Sequence, residues 1–166
     1  MQNTSQQPWL SIRLLIGNPV FITAITTFII SQMAKALITF LLNREKSFKE
    51  IFLTLVWSTG GMPSSHAALV SSMATSTALY EGISSTVFVI SLFLALIVIR
   101  DALGVRRAAG MQARALNSLG RDMSGKLDID WQPVKEIQGH TPLEVTMGSI
   151  LGITCAILLW LYEIFL

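Results

Sequence analysis

Gly60-Gly61-Met62-Pro63-Ser64-Ser65-His66 stands between a short apolar run, 51–57, and a longer Ala- and Ser-rich stretch that begins at Ala67. Glycine permits backbone angles that other residues avoid, and proline suits the start of a helix. The spacing predicts a tight loop feeding a helix that begins near Ser64 or Ser65. The first turn of such a helix presents unpaired N–H groups and the positive end of the helix dipole, which suit an anion such as phosphate. His66 would stand beside that anion, its imidazole able to exchange a proton near neutral pH. A serine-capped helix start with an incidental histidine explains the same residues, so the stretch alone leaves both accounts open.

Composition decides the class. Hydrophobic residues make up 52% of the chain and charged residues 13%, against roughly 25% charged in a typical soluble domain. The apolar residues come in blocks longer than a soluble core of this size needs. The expectation is an all-α, multi-pass transmembrane helical bundle with about four spans plus short interfacial or re-entrant helices. Its 166 residues form a single membrane-embedded domain, 1–166. Cys155 is the only cysteine, so no disulfide framework is expected. The N-terminus has no early basic cluster and is not expected to be a cleaved signal peptide.

The spans are expected near 18–42, 66–80, 84–100 and 142–164. The first is long enough to cross a hydrocarbon core of roughly 30 Å. The run 51–57 is too short to span and reads as re-entrant or interfacial. The second span is rich in small residues, among them Ser71, Ser72, Thr75, Ser76 and Thr77. Small residues let membrane helices pack closely, which places this helix inside the bundle. Glu81-Gly82 with Ser84-Ser85 makes a short turn. The polar stretch 100–141 is expected to be part helical.

Basic residues set the topology. Segments 43–65 and 100–141 carry three and seven Lys/Arg, whereas the other side has only Arg13, and Lys35 lies within a span. That asymmetry puts both long loops on the cytoplasmic side. The glycine-rich loop and every polar cluster described next therefore converge on one face.

Arg106 and Arg107, in the run from Arg100 to Gly110, offer fork-shaped guanidinium groups suited to phosphate oxygens, with Asp101 able to orient one of them. Arg114, Arg121 and Lys126 read more simply as a juxtamembrane patch facing anionic headgroups. Thr141-Pro142-Leu143-Glu144 is a capping box with proline at the first helical position. Glu144 also follows His140 by four residues, close enough to hold its ring and fix its tautomer. Lys35 inside a span costs roughly 2.5–3.5 kcal/mol, so it needs a polar cavity or must snorkel to the interface. Gln32, one turn earlier, favours the cavity. The acidic residues Asp101, Asp122, Asp128 and Asp130 form no metal-ligand pattern, so neither a metal nor a cofactor is expected.

Pro63-Ser64-Ser65-His66 resembles the Pro-Ser-Gly-His motif of the type 2 phosphatidic acid phosphatase superfamily, which also contains the vanadium haloperoxidases. Together with 101–110 and 139–145, in that order, the pattern is similar to the divergent membrane branch of that superfamily, over about 18–152. The resemblance implies that His140 attacks phosphorus to form a phospho-histidine, with Glu144 orienting it where aspartate is usual. It implies that His66 protonates the leaving group, and that Lys35, Ser64, Ser65, Arg106 and Arg107 hold the phosphate. Two positions depart from the superfamily. Val134 stands six residues before His140, where an arginine is usual, and Lys35 lacks the Arg-Pro pair that usually follows its lysine. The arginines would then come from the Arg106-Arg107 cluster.

The resulting expectation is a metal-independent membrane phosphatase acting at the cytoplasmic face on a lipid phosphomonoester or diphosphate, including isoprenoid phosphates. Membrane lipids are its surroundings, a homo-oligomer is allowed, and no nucleic acid is involved. A non-catalytic lipid-phosphate binder or transporter reusing the anion pocket is the alternative. A purely structural membrane protein would leave four converging polar clusters without a role.

Overall fold

The computed structural model of the chain describes residues 8–42, 61–127, 130–136 and 139–165. The loop with Arg44, Lys46 and Lys49, the 51–57 run, Gly60 and Asp128 lie outside the described residues. Among those described, every regular element is a helix: α1 (Pro8–Ile16), α2 (Pro19–Leu42), α3 (Ser65–Glu81), α4 (Thr86–Leu103), α5 (Val105–Leu127) and α6 (Pro142–Phe165).

α2 starts where Asn18 caps it: its side-chain oxygen accepts from Phe21 N–H at 3.1 Å and its carbonyl from Ile22 N–H at 2.9 Å. The short α1 before it was not expected from the sequence, which offers only the Gly17-Asn18 break to separate the two. Along α2 the buried residues Thr23, Thr27, Ser31 and Lys35 recur every four positions. They form one inward stripe, while Ile25, Ile29, Met33 and Leu37 face outward.

α3 occupies the middle, packed against α2, α4 and α6. Its buried face is built from small residues, including Ala67, Ala68, Ser72, Ala74 and Ser76. The hydroxyls are satisfied within the helix: Ser72 donates to the Leu69 carbonyl at 2.8 Å, Ser76 to that of Ser72 at 2.8 Å, and Thr77 to that of Met73 at 2.8 Å. These three hydroxyls of α3 therefore sit in the core with their donors paired. Small residues also bring α6 close. A Cβ at Gly148 would strike the Ser64 carbonyl, and one at Gly152 would strike that of Ala68. This is the small-xxx-small packing typical of membrane helices.

α3 ends at Gly82, whose φ of +85° suits glycine. Ser85 then caps α4, accepting from Phe88 N–H at 3.2 Å. α4 runs a turn beyond Ile99, so Arg100 and Asp101 are helical. Gly104 donates to the Arg100 carbonyl at 2.9 Å and accepts from Ala108 at 2.9 Å, so α5 follows with almost no break. The polar stretch is thus a long helix, α5, followed by the coil 130–136.

Pro19–Leu42, Thr86–Leu127 and Pro142–Phe165 contain apolar stretches long enough to cross a membrane by length and composition. With α3 running among them, the chain is an all-α, multi-pass membrane bundle of about four crossings. At one end Tyr80 donates to Glu163 at 2.7 Å, joining the last turns of α3 and α6. The other end gathers the polar clusters.

Candidate active site

The site begins with the start of α3. Ser64 is its N-cap, fully buried, and its hydroxyl oxygen accepts from Ala67 N–H at 3.4 Å. The Ser64 carbonyl accepts from Ala68, and the Ser64 N–H donates to the Glu144 carbonyl at 3.0 Å. Of the first-turn donors, those of Ser65 and His66 are left without a protein partner among the described residues. Two N–H groups at a helix start are the elements of an anion cradle.

The Ser64–Glu144 bond ties the first motif to the third. At the start of α6 a single carboxylate oxygen of Glu144 serves two neighbours. It lies 3.0 Å from His140 Nδ1 and accepts from Thr141 N–H at 3.0 Å. The Glu144 N–H in turn donates to the Thr141 hydroxyl at 3.3 Å. The capping box and the histidine–carboxylate pair, two separate accounts of Glu144 in the sequence, are one structure. A carboxylate at Nδ1 favours the tautomer with its proton there, leaving Nε2 as the lone-pair nitrogen. His140 is buried, whereas His66 is exposed at the start of α3.

Lys35 does not snorkel. It is 4% exposed, and a Cβ at Gly61 would lie 3.7 Å from its side-chain Cγ and Cδ. Gly61 has φ +93° and lies over the lysine stem. Gln32 Oε1, one turn earlier, is buried without a partner among the described residues. Lys35, His140 and Arg106 lie close enough for their charges to act on His66, and Glu144 acts likewise on Lys35.

Arg106 Nε donates to Asp101 Oδ2 at 2.8 Å, with the side chains 47% and 41% exposed. A pair this open adds little stability. Arg107 reaches the third motif through its backbone, because a Cβ at Gly139 would strike Arg107 Cα and N. Its guanidinium has no hydrogen bond or ion pair among the described residues. Arg114, Arg121 and Lys126 lie exposed along α5.

The structure thus gathers His66, His140, Glu144, Lys35, Ser64, Ser65, Arg106 and Asp101 at one end of the bundle, with Arg107 alongside. A sequence model described as the divergent PAP2 family matches residues 16–155. The chain belongs to the divergent PAP2 family. A relative from Bacillus subtilis (strain 168), the uncharacterized membrane protein YuiD, is 35% identical over 156 residues, 87% of this chain and 96% of the relative. No solved structure matches.

Within this divergent PAP2 fold the sequence did not disclose how the His140 loop is held. Asn117 of α5 reads the backbone of Val134 in both directions, donating to its carbonyl at 2.8 Å and accepting from its N–H at 2.8 Å. It also donates to Glu136 at 2.9 Å. Gly120, one turn on, receives the Trp131 ring. The coil therefore runs back along α5 toward His140, fastened by contacts from positions 120, 117 and 107. A lone asparagine in a polar helix gives no signal of this role. The four-residue spacing of Gly148 and Gly152 is a signal, and it marks the close approach of α3 and α6.

Proposed function

We propose that this protein hydrolyses a lipid phosphomonoester or diphosphate at the cytoplasmic face of the membrane through a phospho-histidine intermediate. The observation that carries this reading is the His140 Nδ1–Glu144 contact at 3.0 Å, within electrostatic reach of a second histidine. With its proton on Nδ1, His140 presents Nε2 to phosphorus. The Nε2–P bond forms as the bond from phosphorus to the lipid oxygen breaks, and protonated His66 gives its proton to that oxygen. Neutral His66 then takes a proton from water, whose oxygen attacks phosphorus and releases phosphate from His140. Glu144 balances the positive charge that His140 carries meanwhile.

Charge on the transferring phosphoryl oxygens would be met by Lys35, Arg106 and the Ser65 and His66 N–H groups. Fixed donors and cations aimed at the developing charge are the largest contribution in such transfers. The cytoplasmic assignment rests on the excess of Lys and Arg in the loops at this end. No domain boundary is needed, since the helices at the site share one packed bundle.

One observation favours a second reading, lipid-phosphate binding or transport without turnover. The position six residues before His140 is Val134, its backbone fastened to Asn117, so no arginine reaches the phosphate from there. Binding needs positive charge at His140, whereas hydrolysis needs a nucleophile. Purified protein should release phosphate from a panel of lipid monophosphates and diphosphates in detergent, and His140→Asn should abolish release. Release that survives His140→Asn refutes the phospho-histidine route, and tight binding of the panel without release supports the second reading.

A further inference from the structure

The face of α3 that begins at His66 continues at three- and four-residue steps through Leu69, Met73 and Thr77, so these side chains share one side of the helix. Leu69, Met73 and Thr77, but not His66, form one wall of an open groove of about 440 Å³, flanked by Leu15 of α1, Phe21 and Ala24 of α2, and Val87 of α4. That volume lies within the roughly 300–1,000 Å³ of small-molecule sites. The lining is mostly apolar and includes Glu81 at the end of α3 farthest from His66. Leu69 is one helical turn from His66, about 5 Å along the axis, and Thr77 is about 16 Å along it.

We infer that this groove takes the hydrocarbon tail of a long-chain lipid phosphate whose phosphate lies at His66 and His140. The inference rests on the proposed lipid-phosphate site and adds the place of the tail. Continuity along α3 names the occupant. A chain anchored by its phosphate at the start of α3 meets the groove one turn later and follows it toward the opposite interface. Bulk lipid, with no phosphate at the site, has no reason to prefer this cleft over the outer faces of α4 and α6, because lipid tails are as apolar as the side chains they touch. The groove's contribution is therefore shape, which selects tails by length and width.

The test uses the full chain in detergent with hexadecyl phosphate carrying a diazirine in the far half of its chain. On irradiation, labelling should fall on α3 between Leu69 and Thr77 and on the Phe21–Ala24 wall, and unmodified hexadecyl phosphate should compete it away. Hexadecanol should not compete. Met73→Trp and Val87→Trp, which fill the groove from different walls, should each cut competed labelling about tenfold and lower the hexadecyl-to-butyl phosphate ratio of kcat/KM about tenfold. Labelling spread over the outer faces of α4 and α6, or equal competition by hexadecanol, overturns the groove. So does indifference of both folded variants. Competed labelling in the groove without any phosphate release leaves the groove standing and removes the phosphatase reading. Release that ignores tail length and both substitutions does the reverse.

Discussion

Glu144→Gln separates charge from hydrogen bonding at the site. The glutamine amide oxygen can still accept from Thr141 N–H and from His140 Nδ1–H, both now served by one carboxylate oxygen at 3.0 Å. The Ser64–Glu144 tether uses the backbone carbonyl, so the two motifs stay joined. What disappears is the negative charge facing His140. A hydrogen bond to a charged group contributes about 1.5–3 kcal/mol and a neutral one about 0.5–1.5, so the loss is about 1–2 kcal/mol, or about 5–30-fold in rate. Orienting and acid–base groups in general carry about 10²–10⁴, so turnover should fall between about tenfold and about 10². The melting temperature should hold, since Glu and Gln both serve a capping box. Glu144→Ala should show at least the same rate loss and, with a cap worth about 1 kcal/mol, melt about 2–4 °C lower. The assay is lipid-phosphate turnover and thermal unfolding of both variants in one detergent. Full turnover in Glu144→Gln beside a lowered melting temperature in Glu144→Ala would refute the reasoning and leave Glu144 as a cap.

Gly152→Ala forces a methyl group against the Ala68 carbonyl and should destabilise the bundle by about 1–3 kcal/mol in thermal unfolding. Gly125→Ala, with nothing within 4 Å of the added carbon, should be neutral or stabilising by up to about 1 kcal/mol. Asp101→Ala frees the Arg106 guanidinium held at 2.8 Å and should raise KM several-fold with little change in melting temperature; an unchanged KM removes Asp101 from the orienting role. Among the described residues no three metal-ligating side chains gather, and cations face the candidate phosphate position. Vanadate should therefore compete with substrate while a chelator leaves turnover intact; activity lost to the chelator and restored by magnesium would place the reaction in another class.

The helical plan was legible because the signals were local. Pro63-Ser64 and Thr141-Pro142 mark two helix starts through capping chemistry, the turn at 81–85 bounds a third, and the apolar blocks set the lengths of α2, α4 and α6. Ser and Thr placed α3 inside, since a lipid-facing helix would not carry so many hydroxyls. Lys35 could not be settled from sequence. Its burial depends on Gly61, a residue of the next motif that reaches it only in the folded bundle. The coil 130–136 was opaque for the same reason: Asn117 binds the backbone of Val134, and a backbone partner leaves no trace in side-chain pattern. α1 is not legible in the sequence, since nine residues are too few to span and only the Gly17-Asn18 break separates them from α2.

The bond from the Ser64 N–H to the Glu144 carbonyl and the close contacts at Gly148 and Gly152 tie the two histidine-bearing helix starts directly together. Lys35 and Arg106 ride on other helices, α2 and the α4–α5 rod. A bilayer that thickens or thins changes helix tilt, and such tilting would shift the cations relative to the histidines more than the histidines relative to each other. If the site binds phosphate as proposed, a change in bilayer thickness would alter anion affinity more than it alters the spacing of the histidine pair.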